Sequence, residues 1–331
     1  MLYLIDNKNF TDPSVNLALE EYSVRNLDTS NNYLLLYINE PSVIIGKHQN
    51  TIEEINTKYV KEHGVHVIRR ISGGGAVYHD EGNLNFSFIT KHSQKSIHNF
   101  KLFTEPVIKT LQNLGINAVL NGRNDITVNE KKISGNAQFT DTKSMFSHGT
   151  LLFNSDLDSV VKVLNVKLDK IESKGIKSIK SRVGNIKDFI REEMSIGEFR
   201  IKLLDSVFEE YDSIPVYELN EDEWEKVYEL SESKYKTWEW NYGRSPEFNI
   251  QKINRFNFGQ IDARIHVKDG VIEDISIYGD FLGLGNMADI EKRLRKAKYE
   301  KKYLSESLKE IDLNHYFGEI SLNEFLAFLL D

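Results

Sequence analysis

The stretch from Arg69 to Asn85, RRISGGGAVYHDEGNLN, brings two arginines, three consecutive glycines and a histidine together behind an apolar run, Val65 to Ile68. Glycines are poor strand residues, and without side chains they let backbone N–H groups approach a ligand closely. Arg69 and Arg70 add positive charge suited to a carboxylate or a phosphate. Such a loop suits an anion. A plain turn between strands would explain the glycines but not the arginines and His79 beside them. Asn124-Asp125 offers oxygen ligands of the kind Mg²⁺ takes from one or two carboxylates together with phosphates and water, although Asp after Asn is also ordinary turn chemistry. His79 and His148 lack a zinc spacing and His63/His66 suit a surface or capping pair, so no transition metal is expected.

Some chemistry is excluded outright. The 331 residues contain no cysteine, which removes disulfides, thiolate metal sites and any cysteine nucleophile. The net charge of −8 gives no overall electrostatic reason to bind nucleic acid. A local basic run lies between Lys162 and Lys187, which a solvated face would also explain. The N-terminus meets Asp6 and Lys8 before any apolar run long enough for a signal peptide, and no later stretch approaches a membrane span. A soluble, cytoplasmic protein with no membrane partner is expected.

The elements that must position these residues follow from length and pattern. A chain of this length favours two domains, and 5 Pro, 20 Gly and 40% hydrophobic residues fit a folded globular protein. Asp12-Pro13 followed by Val15, Leu17, Ala18, Leu19 and Tyr22 predicts a capped helix. Tyr33–Ile38 and Ser42–Gly46, separated by Asn39-Glu40-Pro41, read as adjacent buried strands. Helical spacing recurs at Phe100, Phe103, Val107, Leu111 and Leu114, and two strands flank the turn Asn129-Glu130-Lys131. The pattern breaks at Tyr242-Gly243-Arg244-Ser245-Pro246. Beyond it Ile261, Ala263, Ile265 and Val267 alternate before Lys268-Asp269-Gly270 turns the chain into Val271–Tyr278, a hairpin followed by helices that end with Ser321–Leu330. The expectation is an α+β fold, with a first domain over 1–245 and a small α+β domain over 250–331. Each of the three tryptophans reads as core packing.

RRISGGGAVYHDEGN resembles the signature of lipoate–protein ligases, of the lipoate–protein ligase A type. Asn121-Gly122-Arg123-Asn124-Asp125-Ile126, Lys132-Ile133-Ser134-Gly135-Asn136-Ala137 and Phe146-Ser147-His148-Gly149-Thr150-Leu151-Leu152 match in order and spacing. Ser173-Lys174-Gly175-Ile176 with Ser181-Arg182-Val183 resembles the family's adenylate-binding loop, and Trp238 to Gly243 the end of its catalytic domain. The resemblance implies a biotin/lipoate ligase-like catalytic domain with a mixed, antiparallel-rich sheet and a smaller C-terminal domain. It also implies ATP and Mg²⁺ as cofactors, lipoate as substrate, and lipoyl-domain acceptors such as 2-oxoacid dehydrogenase E2 subunits or the glycine cleavage H protein.

By matching position the resemblance assigns the nucleotide to Arg70, Gly75, Ala76, Val77, Tyr78, Asn83, Asp125, Lys132 and Arg182. It assigns lipoate to Glu20, Tyr37, Arg70, Ser72, Gly73, Gly74, Gly75, His79, Lys132, Phe146, His148 and Gly149, with Mg²⁺ at Asp125. Lys132 is the catalytic candidate. A carboxylate attacking an α-phosphate brings two anions together, and an ammonium between them acts most strongly where charge accumulates in the transition state. Its small neighbours, Ser-Gly-Asn-Ala, set it apart from an ordinary surface lysine.

Rival readings fare less well. Gly283-Leu284-Gly285-Asn286-Met287-Ala288 fits GxGxxA, but a dinucleotide site needs a parallel βαβ unit, and here the motif follows an antiparallel hairpin. No GxxxxGK[ST] loop occurs. A carrier that merely binds a lipoyl or biotinyl group should lack the Arg70 and Lys132 pair. An acyl transferase of the same superfamily works through a cysteine thioester, and SGGGAV with KISGNAQ resembles lipoate ligases better than biotin ligases.

Overall fold

A computed structural model describes residues 1–164, 182–243, 249–268 and 270–330. Three expectations fall outside them: the loop at Ser173–Ile176, most of the basic run, and the break at Arg244-Ser245-Pro246. The chain forms two compact units, one of Met1–Ile44, Ile55–Ile68 and Val77–Thr237, the other of Ile45–Glu54, Arg69–Ala76 and Trp238–Asp331. The glycine-rich loop thus groups with the C-terminal part of the chain.

The first unit is built on a mixed eight-stranded sheet. Its strands are β1 (Leu2–Ile5), β2 (Asn32–Tyr37), β6 (Asn83–Lys91), β7 (Ala118–Asn121), β8 (Asp125–Val128), β9 (Lys131–Thr140), β10 (Ser144–Leu152) and β11 (Val216–Tyr217), in spatial order β11-β1-β2-β6-β10-β9-β8-β7. Only β1 runs parallel to its neighbours; the other pairs are antiparallel. The strands β3 (Ser42–Ile45), β4 (His66–Arg69) and β5 (Val77–His79) form a separate sheet in the order β4-β3-β5. This corrects one expectation. The runs at 33–38 and 42–46 are not neighbours, because β2 is already paired on one side by β1 and on the other by β6.

Strand alternation divides the large sheet into two faces. Leu34, Leu36, Leu84, Phe86, Phe88, Met145, Leu151, Ile126 and Val128 form an apolar core with Phe103, Val107 and Leu111 of the helix Phe100–Asn113 and with Phe199 and Leu203 of the helix Ile196–Val207. The opposite face carries Tyr37, Asn85, Ser87, Phe146, His148 and Thr150. The helix Pro13–Asn26 packs on that side and reaches His148 through Glu20. That helix starts as expected, with the Asp12 carboxylate accepting from Ser14 N at 2.8 Å and Pro13 in the first turn.

In the second unit β13 (Gly259–Lys268) and β14 (Val271–Gly279) make the expected antiparallel hairpin, with residue 269 of its turn outside the described residues. β12 (Ile250–Phe256) adds a third strand that the pattern did not disclose, since Gln251, Lys252, Asn254 and Arg255 leave it with little apolar alternation. Ile261, Ala263, Ile265, Ile272, Ile275 and Ile277 pack against Leu294, Leu304, Phe325 and Leu329 from the helices Met287–Leu294, Lys301–Leu308 and Leu322–Leu330. The GxGxxA glycines are packing residues: a Cβ at Gly283 would lie 1.4 Å from Tyr316 O, and one at Gly285 would lie 2.2 Å from the Tyr316 ring.

Candidate functional site

Lys132 owes its position to an irregularity in the sheet. Regular pairing from Asp125↔Gly135 would set Lys132 opposite Val128, on the core face. Instead the register shifts, so that Ile126 faces Ser134 while Thr127 faces Lys132. The extra residue is Ile133, a β-bulge that turns this side chain into the core and moves Lys132 to the face of Asp125 and Thr127. There Lys132 Nζ lies 2.8 Å from Asp125 Oδ1. Gly135 leaves the room: a Cβ on it would stand 2.9 Å from that nitrogen. On its other side Lys132 bridges Val183, and Gly184 N donates to Lys132 O at 3.0 Å. The result is an open cavity of about 340 Å³ lined by Asp125, Lys132, Arg182, Asn121, Thr127 and Glu130. Three residues assigned to the nucleotide meet here, Asp125 and Lys132 from adjacent strands and Arg182 from far along the sequence.

A second group lies on the same face of the sheet. His148 Nδ1 is 2.9 and 3.0 Å from the two carboxylate oxygens of Glu20, so the buried carboxylate fixes the imidazole ring. Phe146 stacks obliquely on that ring with centroids 4.7 Å apart. Tyr37 and Thr150 both face Asn85, whose Nδ2 donates to Tyr37 O at 3.3 Å. Asn83 and Asn85 are buried and linked at 2.9 Å. Gly149 offers this face only backbone, because its missing side chain would point at Asn136 Oδ1, 2.2 Å away, and at the Phe86 ring. His79 is buried elsewhere in the unit, 3.0 Å from Asn39 Nδ2. Tyr78 is also buried, and desolvation followed by the nearby Asp80 pushes its phenol up to about 12. Val77 follows the loop at the start of β5.

The glycine-rich loop belongs to the second unit and is shaped by its own arginine. Arg70 donates through Nε to Ser72 Oγ at 3.0 Å and through Nη2 to the carbonyls of Gly73 and Gly75 at 2.7 and 2.8 Å. Gly74 takes φ +92°, and a Cβ on Gly73 would sit 2.5 Å from Phe281 O. Gly75 differs, since a Cβ there would meet nothing within 4 Å. Ala76 is half-buried at the end of the loop. Arg69 contrasts with Arg70: its guanidinium is buried and donates to the carbonyls of Gly46, Lys47, Gln49, Trp240 and Asn241 and to the Thr51 hydroxyl. The charge expected of the arginine pair is thus half structural.

Sequence reasoning passed over Ser87, Asn85, Thr127 and Asn121, which look like ordinary strand residues until register places them on this face. It also assigned Trp238 to a core, whereas this side chain is 62% exposed and stacks on Tyr242. Among the described residues no helix is long and apolar enough to cross a membrane, and no group of three or more His, Asp or Glu could by itself hold a metal.

A mixed sheet with a strand lysine beside an aspartate, and a separate glycine-rich arginine loop, fits the family profile described as the lipoyl protein ligase A/B catalytic domain, which matches residues 12–208. A second profile, the bacterial lipoate protein ligase C-terminus, matches residues 245–329. This chain belongs to the lipoate–protein ligase family, an enzyme family. It is 55% identical to lipoate-protein ligase LplJ of Bacillus subtilis, over 98% of this chain and 99% of that protein. A solved P. falciparum LipL1 in complex with lipoate superposes with a TM-score of 0.79 at 28% identity, over 99% of both chains. A crystal structure of a lipoate-protein ligase A bound with ATP matches with a TM-score of 0.62 at 32% identity, over 73% of this chain and 98% of that one.

Proposed function

We propose that the chain uses ATP to activate lipoate as lipoyl-AMP and then transfers the lipoyl group to a lysine of a lipoyl-domain acceptor protein. The observation that carries this reading is the Lys132 ammonium, turned out of the core by the bulge and set in an open cavity with Asp125 and Arg182. In the first step a lipoate carboxylate oxygen attacks the α-phosphorus and pyrophosphate leaves. Lys132 stands between the two anions, and Arg182 adds a second positive charge. In the second step the deprotonated acceptor amine attacks the mixed-anhydride carbonyl, AMP leaves, and the new amide nitrogen gives up a proton. Lys132 polarises that carbonyl.

The remaining assignments follow from matching position and local geometry. Arg70, Gly75, Ala76, Val77, Tyr78 and Asn83 hold the nucleotide. Ser72, Gly73, Gly74 and His79, with Arg70, Gly75 and Lys132 shared with the nucleotide, accompany Glu20, Tyr37, Phe146, His148 and Gly149 around lipoate. Mg²⁺ fits Asp125, a half-exposed carboxylate in the cavity of the kind this ion pairs with substrate phosphates, and it would neutralise phosphate charge there. The catalytic domain is assigned to residues 1–245 and the accessory domain to 250–331, a reading supported by a separate C-terminal profile match at 245–329. Acceptors are E2 subunits or a glycine cleavage H protein, met in the cytoplasm.

The test is Lys132→Ala, assayed for pyrophosphate release from lipoate and ATP and separately for transfer from preformed lipoyl-AMP. Both should fall by about 10²–10³, the usual loss for one transition-state donor. Undiminished rate in either half-reaction removes Lys132 from that step.

A further inference from the structure

We propose that Ser87 reads the sulfur-bearing ring of the acyl substrate, an inference that rests on the ligase reading above. The register lays the substrate face out in rows across the strands. One row runs Asp125, Gly135, Thr150, Asn85, Tyr37, with Gly135 N donating to Thr150 Oγ1 at 3.3 Å; the next runs Ala137, His148, Ser87, Leu35. Rows on one face are two residues apart along each strand, about 6.8 Å. Lys132 shares the side of the first row. A carboxylate held there, followed by the short methylene chain of lipoate running along the strands, delivers the dithiolane ring to the second row.

Within that second row Ser87 is the anomaly. It is 0% exposed, and its hydroxyl has no hydrogen-bond partner among the described residues. Its neighbours across the strands are Leu35 and the His148 ring already fixed by Glu20. By contrast Ser147, one residue away from His148 and on the opposite face, accepts from Gln138 Nε2 at 3.5 Å. A buried hydroxyl without a partner costs free energy, and a saturated hydrocarbon cannot relieve it. A disulfide sulfur can, because its lone pairs accept a weak hydrogen bond while the ring keeps an apolar shape. Ser87 thereby favours a dithiolane over a carbon ring of the same outline. Its effect falls on binding, because it does not touch the reacting carboxylate.

The measurement compares lipoate with 5-cyclopentylpentanoate, the same skeleton with carbon in place of both sulfurs, in ATP-driven pyrophosphate release by wild type, Ser87→Ala and Ser147→Ala. Wild type and Ser147→Ala should share one preference for lipoate. In Ser87→Ala the ratio of the two kcat/KM values should fall about fivefold, the worth of one net hydrogen bond, through KM for lipoate with kcat retained. A ratio unchanged within twofold in Ser87→Ala overturns the proposal. Should that variant fail to fold, equal Kd values of wild type for the two acids overturn it, and tighter binding of lipoate supports it. A wild-type enzyme that releases no pyrophosphate with lipoate would instead overturn the ligase reading.

Discussion

Single residues divide the glycine-rich loop into a structural part and a functional part. Gly73 and Gly74 are demanded by the second unit itself, one by its contact with Phe281 O and the other by its positive φ, whereas Gly75 has open space where a side chain would go. The triplet in the sequence announces an anion-binding loop but cannot tell these roles apart, because all three are the same letter and the difference lies in what packs behind them. Arg69 and Arg70 are equally indistinct in sequence, and only the oxygen cage around Arg69 separates them. Gly75→Ala should therefore keep its stability to within about 0.5 kcal/mol, as open sites do, yet raise KM for ATP at least tenfold. Gly73→Ala should lose about 1–3 kcal/mol to overpacking. Urea denaturation and steady-state kinetics on both variants check this; a Gly75→Ala enzyme with normal KM would return that glycine to a turn role.

At the scale of elements, the helix Pro13–Asn26 serves two partners through consecutive residues. Glu20 fixes His148 on the sheet, while Glu21 accepts from Lys234 Nζ and Tyr235 OH, both at 2.7 Å, and from Arg25 Nε at 2.8 Å. Lys234 and Tyr235 come from the π-helical turn Ser231–Tyr235, which follows the helix Glu221–Leu230. Burial alone would raise the Glu21 carboxyl, but the Lys234 charge and the three donors outweigh it and hold the group below its ordinary 4.5; burial in turn draws the Lys234 ammonium down. A carboxyl lowered on folding stabilises the fold above its unfolded pKa, and that contribution is lost as pH falls through the folded value. Glu21→Gln should thus cost on the order of 2 kcal/mol at neutral pH. The gap from wild type should shrink only on acidification below about 4.5. Urea midpoints across pH check this, and a gap that stays constant down to pH 3 would mean that Glu21 charge does not stabilise this contact. The cap at Asp12 and the hairpin were legible in the sequence because their signals are local. The bulge at Ile133, the separation of β2 from β3 and the polar row that includes Ser87 were not, because each depends on register between strands remote in sequence.

Over the whole molecule, two features decide between the possible chemistries. The first is a complete absence of cysteine, so no thiol can hold an acyl group on the enzyme, and an ester or amide on another side chain would pass poorly to an amine. The second is what each unit carries by itself: Lys132 and Arg182 beside Asp125 and Glu130 in an open cavity of the first, and an anion-suited glycine-rich loop in the second. The profile matches at residues 12–208 and 245–329 span both. Activation therefore comes from outside the protein, and AMP supplies the leaving group that lipoate lacks. The most direct measurement is the mass of a lipoyl-domain acceptor after incubation with the enzyme and each acyl donor in turn. The account predicts a lipoyl mass shift with free lipoate, ATP and Mg²⁺ together, unaffected by thiol-alkylating reagents applied to the enzyme and absent with an acyl carrier thioester alone. ATP-independent transfer from the carrier thioester, at a rate comparable to the ATP-driven reaction, would contradict it.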